Sequence, residues 1–468
     1  MQKRFTALLL AIALCLSLAA CGQRGQDEPE PQGPLSGELT VSLPSRWGPL
    51  EIWAGRFEEI HPDVEIQFQY ETEETYIDPP SGITFEGEIV NERTELPTDV
   101  ADSYIRKTVT SLSGGEAADI LDLGPMSYFK YAKSGLFEDL NEWMARDPEF
   151  SREDYYTNIL EALEDTEGHL YAVPPVVRFK FIMLNDYILY EMGLNGADVF
   201  PDGVNYEDLT DLFQQAAAMG ALEPASKGQE GCYFAPRTNK SFFLEFVLPQ
   251  YLDEKTGEAR FDTPEFIEYL KRTDELPFEY TMDKAPGRSL YWPSFSCDGP
   301  FCQKVSSSMH VFNKAVSDRD IGSSRGLLYK DSQGNIPFST DMALLAIPKG
   351  PNAQLAWEFL KFIIEEKEFP DSVWKDSVSE NYEYVHPYNQ SLPINRNNFR
   401  NLSAALFREP FAKLAEPYME QLNTRLSVSQ ELLGSLEDIF AAYYDNHLIS
   451  AEECARQLQE RGWIYLNE

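Results

Sequence analysis

After residue 37, the pattern of hydrophobic and polar positions predicts a strand, a helix and a second strand. Residues 38–43 alternate between polar and apolar, residues 50–60 place apolar side chains at helical spacing, and residues 61–68 alternate again. This order predicts parallel strands joined by a right-handed crossover, and ligands of such sheets bind beyond the carboxyl ends of the strands. Trp47 lies just past the first strand, so it is either a binding residue or a packing residue.

The same pattern continues beyond residue 100. Helical spacing over residues 105–112 ends at Gly114–Gly115, and residues 118–124 are typical of a buried strand. Asp122 lies near the end of that strand and is a second candidate for binding. Two amphipathic helices are predicted next, over Tyr128–Leu140 and Asp154–Leu163.

A polar segment, residues 71–102, interrupts this pattern. It is rich in Pro and Glu and too long for a plain connection, which indicates an insertion. The insertion forms either a hairpin, with residues 83–85 against 88–90, or a mobile flap.

Residues 167–185 predict a passage between two lobes. A short strand, Leu170–Val173, is followed by Pro174–Pro175 and by a longer apolar run, Val176–Leu184. Proline fixes φ and donates no hydrogen bond, so the pair separates the two strands. Arg178 within the second run leaves two interpretations open: an edge strand with a solvated face, or a crossing at the bottom of a cleft with Arg178 facing a ligand.

Later segments add aromatic and acidic candidates. Residues 232–237 predict a strand and loop that contain Tyr233, and residues 289–295 concentrate aromatic side chains, Trp292 among them, in a predicted loop. These rings can stack on a flat apolar face. Asp341 opens a predicted apolar strand, residues 341–347.

The remaining pattern is mostly helical. Helices are predicted over Tyr206–Met219, with Asn205 as N-cap, over Ala353–Ile364, and over most of the last hundred residues, where Ser450 begins a capping box. Residues 331–335 predict a hairpin turn, because the spacing of a calcium loop is missing.

Length and charge limit the function. A chain of 468 residues exceeds one core, so two lobes are expected. The 39 basic and 77 acidic residues give a net charge of −38. Such a surface repels nucleic acid and anionic lipid, so both are poor partners and no nucleic-acid partner is predicted.

The N-terminal segment predicts export. Residues 1–20 have a basic start and an apolar run of secretory length, and no later run is long enough to span a bilayer. The sequence Leu18-Ala19-Ala20-Cys21 resembles the lipobox of bacterial lipoproteins. The resemblance implies cleavage before Cys21, lipidation of its sulfur, and a location at the extracytoplasmic face of the cell membrane. The alternative is an ordinary signal peptide with a chance cysteine. Residues 22–37 predict a flexible tether.

Four cysteines remain in the mature chain. Cys297 and Cys302 can close a small loop as a disulfide or remain free thiols, since export permits either. Cys232 and Cys454 lie too far away for the paired spacing of a zinc site. No metal site or cofactor is predicted.

Eight segments together resemble the extracellular solute-binding proteins of ABC transporters, in the maltose-binding group. The first is F-x-x-x-H-P-D-V-E-I, and the full set is Phe57–Ile66, Ser113–Leu121, Tyr131–Leu140, Gly168–Pro174, Met183–Asp186, Ala346–Phe362, Leu392–Arg396 and Ile449–Cys454. The resemblance implies an α/β, periplasmic-binding-protein-like fold: two α/β lobes joined by a multi-strand hinge with a ligand cleft between them.

The resemblance also implies where the lobes begin and end. Crossings are expected near residues 174–176, 339–344 and 392–394. The predicted N-terminal lobe comprises residues 38–175 and 340–392, including the 71–102 insertion, and the C-terminal lobe comprises residues 176–339 and 393–468.

By the same resemblance, the protein captures a carbohydrate, expected to be an oligosaccharide, and delivers it as a monomer to ABC permease subunits. Sugar recognition uses aromatic faces, carboxylates and arginines. The predicted ligand residues are Trp47, Asp122, Arg178, Tyr233, Trp292 and Asp341.

Three alternatives stay open. The same fold can bind a non-sugar solute, or serve as a surface sensor or adhesin. A secreted glycosidase needs two carboxylates flanking a bond, but acidic residues are too abundant here for a pair to be informative. No nucleophile elbow, H-E-x-x-H or P-loop is present, so no enzyme is predicted.

Overall fold

A computed structural model describes most of the chain after the N-terminal segment. The described residues are 34–73, 84–85, 88–89, 96–184, 189–190, 192–194, 199–200, 203–219, 247–274, 291–295, 325–340, 343–365, 392–406, 416–425, 432, 436 and 438–467. The strands are β1 Gly37–Ser45, β2 Val64–Thr72, β3 Thr84–Phe85, β4 Glu88–Ile89, β5 Ile120–Asp122, β6 Ala172–Val173, β7 Val176–Leu184, β8 Leu252–Asp253, β9 Glu258–Ala259, β10 Tyr291–Phe295, β11 Arg325–Leu328, β12 Ile336–Ser339, β13 Leu345–Ala346, β14 Leu392–Pro393 and β15 Leu422–Arg425. The helices are α1 Gly48–Ile60, α2 Thr98–Gly114, α3 Tyr128–Ala132, α4 Leu140–Arg146, α5 Thr157–Leu163, α6 Tyr206–Ala218, α7 Leu248–Tyr251, α8 Pro264–Asp274, α9 Ala353–Ile364, α10 Arg396–Leu406 and α11 Ala451–Asn467.

The first sheet has the strand order β2-β1-β5-β13-β6. β1 is parallel to both β2 and β5, so the predicted strand–helix–strand unit is confirmed. Its helix, α1, has proline in the first turn and buries Leu50, Trp53 and Phe57. Phe57 packs on Phe359 of α9 with ring centroids 5.2 Å apart. This contact fixes α1 and α9 to each other.

Glycine ends α2 where the pattern predicts. Gly115 has a φ of 71°, a left-handed conformation that glycine adopts without a Cβ penalty. Its N–H donates to Leu112 O, and the N–H of Glu116 donates to Ser111 O. The predicted end of this helix is confirmed, and so is the pairing of residues 84–85 with 88–89 in the insertion.

The second sheet is built around β7. Its order is β10-β7-β12-β15, and β11 and β14 also pair with β7. Residues 181–184 of β7 pair with both β10 and β11, which must therefore lie on opposite sides. The interpretation of residues 176–184 as an edge strand is wrong, because β7 has neighbours on both sides.

Three segments meet where the sheets join. The chain leaves the first sheet after Val173, passes Pro174–Pro175 and enters the second sheet as β7; it returns between Ser339 of β12 and Leu345 of β13. The Ile394 N–H donates to Pro175 O at 3.2 Å. These positions coincide with the three expected crossings. The lobe boundaries themselves stay a prediction.

Two hydrophobic cores correspond to two lobes. One surrounds the first sheet and extends across the crossing to the buried residues of the second sheet, among them Val176, Phe179 and Phe338. The other packs α6, α8 and α11 together through residues such as Leu209, Phe266 and Leu458. We call the elements on the first sheet the first lobe, and the second sheet with the second core the second lobe. Among the described residues, no helix combines the length and apolar character needed to cross a membrane.

Some predicted elements are wrong. Residues 128–140 do not form one helix: α3 stops at Ala132, Gly135 adopts a φ of 73°, and α4 begins only at Leu140. Asp139 caps α4 by accepting from the Asn141 N–H at 3.0 Å. The glycine breaks the helix because its left-handed conformation leaves the helical path.

The loop predicted over residues 289–295 is wrong for residues 291–295, which form β10 against β7. The turn at residues 331–335 is present, but it does not close a hairpin. The strands on either side, β11 and β12, both run antiparallel to β7 and hence in the same direction. The C-terminal region also contains β14 and β15, which interrupt the predicted run of helices.

Other predicted details are confirmed. Asn205 caps α6 by accepting from the Asp208 N–H at 2.8 Å. Of the predicted capping box, the serine half is present: Ser450 Oγ accepts from the Glu453 N–H at 3.2 Å, while the Glu453 carboxylate accepts from Arg456 and Gln457. The helix over Ala353–Ile364 has the predicted bounds.

Within the first lobe, Lys361 is a buried cation on α9. Its Nζ lies 2.8 Å from Asp147 Oδ2 and 3.0 Å from Glu358 Oε2, and only 8% of the side chain is exposed. Removing one partner of a buried pair leaves the other charge uncompensated. We expect Lys361→Met to lower the free energy of unfolding by about 3 kcal/mol, measured by urea denaturation.

The matched control is Arg456→Met on α11, whose pair with Glu453 is 59% exposed on the arginine side. We expect this variant to lose much less stability than Lys361→Met, because a solvent-exposed ion pair adds little. Equal losses in the two variants would contradict the role given to burial.

Candidate functional site

The carboxyl edge of the first sheet faces the second lobe. β5 and β6 both run antiparallel to β13, so β6 is parallel to β5. The chain continues from the carboxyl end of β6 into β7 of the second sheet. The carboxyl ends of β1, β2 and β5 therefore lie on the same side as the crossing. Ligands of parallel sheets bind at this edge.

Trp47 lies at the end of β1 and is 6% exposed. Its ring packs edge-on against Trp53, with centroids 5.6 Å apart and planes at 80°. The indole Nε1–H is buried and makes no hydrogen bond within the described part of the chain. A buried donor without an acceptor is costly. Trp47 therefore packs in the core, and its indole N–H is a buried donor at this edge without a partner among the described residues.

Ser127 follows β5, the strand beside β1, and is fully buried. It occupies the N-cap position of α3, yet its side chain makes no capping hydrogen bond. Its Oγ has no hydrogen-bond partner among the described residues. Trp47 and Ser127 thus follow neighbouring strands at one edge, and each brings a polar group without a partner. Nothing in the sequence around Ser127 distinguishes it from an ordinary capping serine.

Asp122 ends β5 and is 4% exposed. Its Oδ1 accepts from the backbone N–H of Gly124 and of Leu344, each at 2.8 Å. Burial raises the pKa of this carboxyl to about 6, although the two backbone N–H groups and the charge of Arg425 lower it. Both contacts of the carboxylate are within the protein, so Asp122 holds the crossing in place at the candidate site.

Arg425, at the end of β15, is a buried cation that the sequence analysis missed. Its Nε donates to Thr340 Oγ1 at 2.9 Å, and its Nη2 lies 3.4 Å from Gly124 O. The guanidinium carbon is 5.7 Å from the centroid of the Tyr128 ring. One side chain of the second sheet thus contacts both the crossing and the carboxyl end of β5. The surrounding sequence reads as helical, and a single arginine there carries no signal.

Arg178 and Trp292 lie on the second sheet. Arg178 is buried in β7 opposite Ser339, the residue before Thr340. Trp292 lies opposite Met183 in the pairing of β10 with β7, and its side chain is not described. The structure thus places Trp47 and Asp122 at one edge and Arg178 beside the crossing. Tyr233, Asp341, Cys21, Cys297 and Cys302 lie outside the described residues.

A cavity of about 460 Å³ lies between the lobes. Phe129 and Asn158 of the first lobe line it, and so do Gln250 and Asn335 of the second lobe and Arg425. Of the predicted ligand residues whose side chains the structure describes, Trp47, Asp122 and Arg178, none is part of its lining. Within the lining, Lys255 Nζ lies 5.4 Å from the Phe129 ring centroid. Elsewhere, Lys130 Nζ of the first lobe lies 4.6 Å from the ring centroid of Tyr465 in the second lobe. Both cation–ring contacts join a residue of the first lobe to one of the second.

No group of three or more metal-ligating side chains occurs among the described residues. Cys454 is buried, and burial raises the pKa of its thiol to about 12. It therefore stays protonated and unreactive at neutral pH.

Known structures share this arrangement. An extracellular solute-binding protein of Alicyclobacillus acidocaldarius is 13% identical, over 93% of this chain and 100% of its own, with a TM-score of 0.53. An ABC transporter solute-binding protein of Agrobacterium radiobacter, in complex with ribitol, is 16% identical over 92% and 100%, with a TM-score of 0.53. The chain has the fold of the extracellular solute-binding proteins. The fold expected from the sequence resemblance is confirmed.

MalE3 of T. maritima, with maltose bound, is 14% identical over 92% of this chain and 99% of its own, with a TM-score of 0.51. No protein-family model and no curated protein sequence matches the chain. The similarity is therefore one of fold, at low sequence identity.

The raised pKa of Asp122 predicts a pH dependence of stability. The pKa of the Asp122 carboxyl is about 4 in the unfolded chain and about 6 in the folded protein, so the folded state binds the proton more tightly. Stability therefore falls as pH rises through this window, by about 2–3 kcal/mol. Asp122→Asn cannot ionise, so we expect its loss of stability between pH 4 and pH 7, measured by urea unfolding, to be smaller by about that amount.

Asp63→Asn is the control, because Asp63 is an exposed residue in the turn before β2. This control should follow the wild-type pH dependence. If Asp122→Asn also follows it, the carboxyl of Asp122 does not titrate as its burial requires.

Proposed function

We propose that the protein captures a carbohydrate between its lobes and delivers it to an ABC importer. The observation that carries the proposal is at the carboxyl edge. Trp47 Nε1 and Ser127 Oγ are buried there, beside the end of β5, without partners among the described residues. A sugar hydroxyl both donates and accepts hydrogen bonds, so it can pair with an indole N–H and a serine hydroxyl. Leaving such groups unpaired costs free energy that a ligand would recover.

The neighbouring structures support a polyhydroxylated solute. One is a complex with ribitol and another has maltose bound. A polyol is the second candidate, because ribitol offers the same hydroxyl chemistry without a ring. The aromatic candidates Trp47, Tyr233 and Trp292 favour a sugar ring, whose C–H face stacks on an aromatic face. Asp122, Arg178 and Asp341 are proposed as its polar contacts.

Capture by closure needs a hinge. We place it at the crossings, because a hinge motion is absorbed by a few residues at the ends of elements. The double proline between β6 and β7 restricts φ there, which limits the directions in which the chain can bend. The proposed lobes are residues 38–175 with 340–392 and residues 176–339 with 393–468. The protein acts as a binding protein without catalysis, as a monomer that docks on permease subunits.

We further propose that Cys21 anchors the protein to the outer face of the membrane after removal of residues 1–20. Residues 22–37 are rich in Gly, Gln, Glu and Pro and would separate the lobes from the lipid surface. Export also places Cys297 and Cys302 where a disulfide between them can persist.

Thermal shift with mono- and oligosaccharides, polyols and peptides tests the ligand class. A ligand at a hundred times its dissociation constant adds about 2.7 kcal/mol to stability. We expect a shift with a saccharide. Ser127→Ala should weaken its binding about fivefold and leave the melting temperature of the free protein unchanged or higher, because the hydroxyl removed has no partner among the described residues.

Ser111→Ala is the control for this variant, since Ser111 Oγ donates to Thr108 O within α2, away from the edge. It should bind normally. Unchanged saccharide affinity in Ser127→Ala would remove Ser127 from the site. A shift with peptides and none with any saccharide or polyol would overturn the proposed ligand class.

Cell fractionation tests the anchor. Cys21→Ala removes the sulfur that would carry the lipid, so we expect the variant in the soluble extracytoplasmic or culture fraction and the wild type in the membrane fraction. A variant that stays with the membrane would show that Cys21 is not the anchor.

A further inference from the structure

The cavity between the lobes carries charges that form no ion pair among the described residues. Glu161 of α5 lines it from the first lobe, and the Glu161 carboxylate has neither a hydrogen bond nor an ion pair there. Lys255 and Arg260 line it from the second lobe. Lys255 Nζ lies over the Phe129 ring, and Arg260 Nη2 donates to Gln250 O at 3.0 Å. Neither cation has a carboxylate partner in the part of the chain that the structure describes.

The other charges of the lining are engaged within the protein. Asp253 and Asp331 accept backbone N–H groups of their own turns, Asp253 at 2.9 Å and Asp331 at 2.7 Å. Glu254 and Arg425 are both buried. Burial lowers the pKa of the Arg425 guanidinium, and the charge of Glu254 raises it, so these two charges act on each other. One carboxylate on the first lobe and two cations on the second therefore remain for a ligand.

The charge of the chain does not explain the two cations. Acidic residues outnumber basic ones 77 to 39, so an exposed cation of this protein readily finds a carboxylate. Lys107 and Lys271, for example, each pair with a glutamate at 2.6 Å. Lys255 and Arg260 line one cavity and pair with none among the described residues. They are therefore available to an anionic group that enters from solvent, in charge-assisted hydrogen bonds.

The cavity is separate from the candidate site at the carboxyl edge. α5 packs against β15, where Asn158 Nδ2 donates to Leu422 O at 2.6 Å. β15 ends the second sheet, two strands from β7, which corresponds to about 10 Å. Trp47, Asp122 and Ser127 do not line the cavity. A ligand held by Glu161 and the two cations therefore occupies a different place from a solute at the edge.

Opposite charges on the two walls specify the chemistry of the ligand. A carboxylate can accept from the Lys255 ammonium and the Arg260 guanidinium, and an ammonium group can donate to Glu161. A simple anion would meet the charge of Glu161, and a simple amine would meet two cations. A zwitterion satisfies both walls. The cavity, at about 460 Å³, has room for a molecule of the size of an amino acid.

We propose that this cavity is a second binding site, specific for a small zwitterion of the amino-acid type. Lys255 and Arg260 bind its carboxylate, and Glu161 binds its ammonium group. Since the ligand contacts both lobes, it favours the arrangement of the lobes that brings these three side chains to one cavity. The site does not depend on the proposed capture of a carbohydrate.

Isothermal titration with matched probes tests the site. The probes are the standard amino acids and the ω-amino acids from β-alanine to aminohexanoate, which differ in the distance between their two charges. We expect at least one of them to bind the wild type. Its N-acetyl form lacks the ammonium and its amide lacks the carboxylate. Each should bind at least about tenfold more weakly, because a charge-assisted contact is lost.

Two variants identify the contacts. Glu161→Gln should bind the free zwitterion about tenfold more weakly and no longer distinguish it from the N-acetyl form. Lys255→Met should lose most of the distinction between the free zwitterion and its amide. Both should melt near the wild type, because neither charge has an ion pair among the described residues. Glu153→Gln, at an exposed residue before α5 that does not line the cavity, is the matched control and should bind as the wild type does.

Several results would overturn the site: no probe binds the wild type, the blocked forms bind as tightly as the free zwitterion, or both variants keep the wild-type affinity. The blocked probes test it even if a variant does not fold by circular dichroism. Saccharide binding by the same preparations is a separate result. If a saccharide binds and no zwitterion does, the proposed function stands and only the second site fails; the reverse result overturns the carbohydrate alone.

Discussion

The contact between Asp122 and the returning main chain joins the two halves of this fold. The carboxylate accepts from the Leu344 N–H, and the Leu123 N–H donates to Leu344 O at 2.7 Å. These bonds tie the end of β5 to the segment that comes back from the second sheet. Without them, the carboxyl edge of the first sheet would have no fixed position relative to the crossing. The site, the cavity and the proposed hinge are all defined relative to this junction.

The junction places opposite charges in the interior. Arg425 lies near the Asp122 carboxylate and is itself desolvated, which lowers the pKa of its guanidinium. A buried arginine is tolerated when it is surrounded by acceptors, and here Thr340 and Gly124 supply them from two different segments. The polar interior is thus built from residues far apart in the chain. It specifies how β15, the crossing and β5 meet, which apolar packing alone would leave less defined.

Features that depend on local spacing could be predicted from the sequence. The helix over Ala353–Ile364 was predicted with its observed bounds, because its apolar face repeats at helical spacing. The helix end at Gly115 follows from glycine alone. The prediction over residues 128–140 failed because one glycine, Gly135, outweighed an apolar repeat that continued past it. The sequence of residues 289–295 predicts a loop, because a proline among aromatic residues does not alternate as a strand does. Residues 291–295 form a strand because they pair with β7, which the local pattern does not show.

The candidate site was only partly predictable for a related reason. Trp47 and Asp122 lie at the ends of predicted strands, and ligands of such sheets bind beyond the carboxyl ends of the strands, so both could be identified. Ser127 and Arg425 are identified only by their surroundings in three dimensions. The Ser127 hydroxyl lacks a partner among the described residues, and Arg425 contacts Thr340 and Gly124. A serine at a helix start normally caps it, and only the structure shows that Ser127 does not. Arg425 gains its place through a parallel pairing of β15 with β12 across some eighty residues, which no local pattern encodes.

The edge-on packing of Trp47 against Trp53 gives this protein an optical property. Two indoles at 5.6 Å and 80° interact strongly enough for their electronic transitions to couple. Both rings are buried, and one of them presents its N–H at the edge where a solute would arrive. A hydrogen bond accepted from that N–H changes the environment of the indole. The pair is therefore a natural chromophore in the core beside the carboxyl edge, and a solute bound at that edge would alter its circular dichroism and fluorescence without any attached dye.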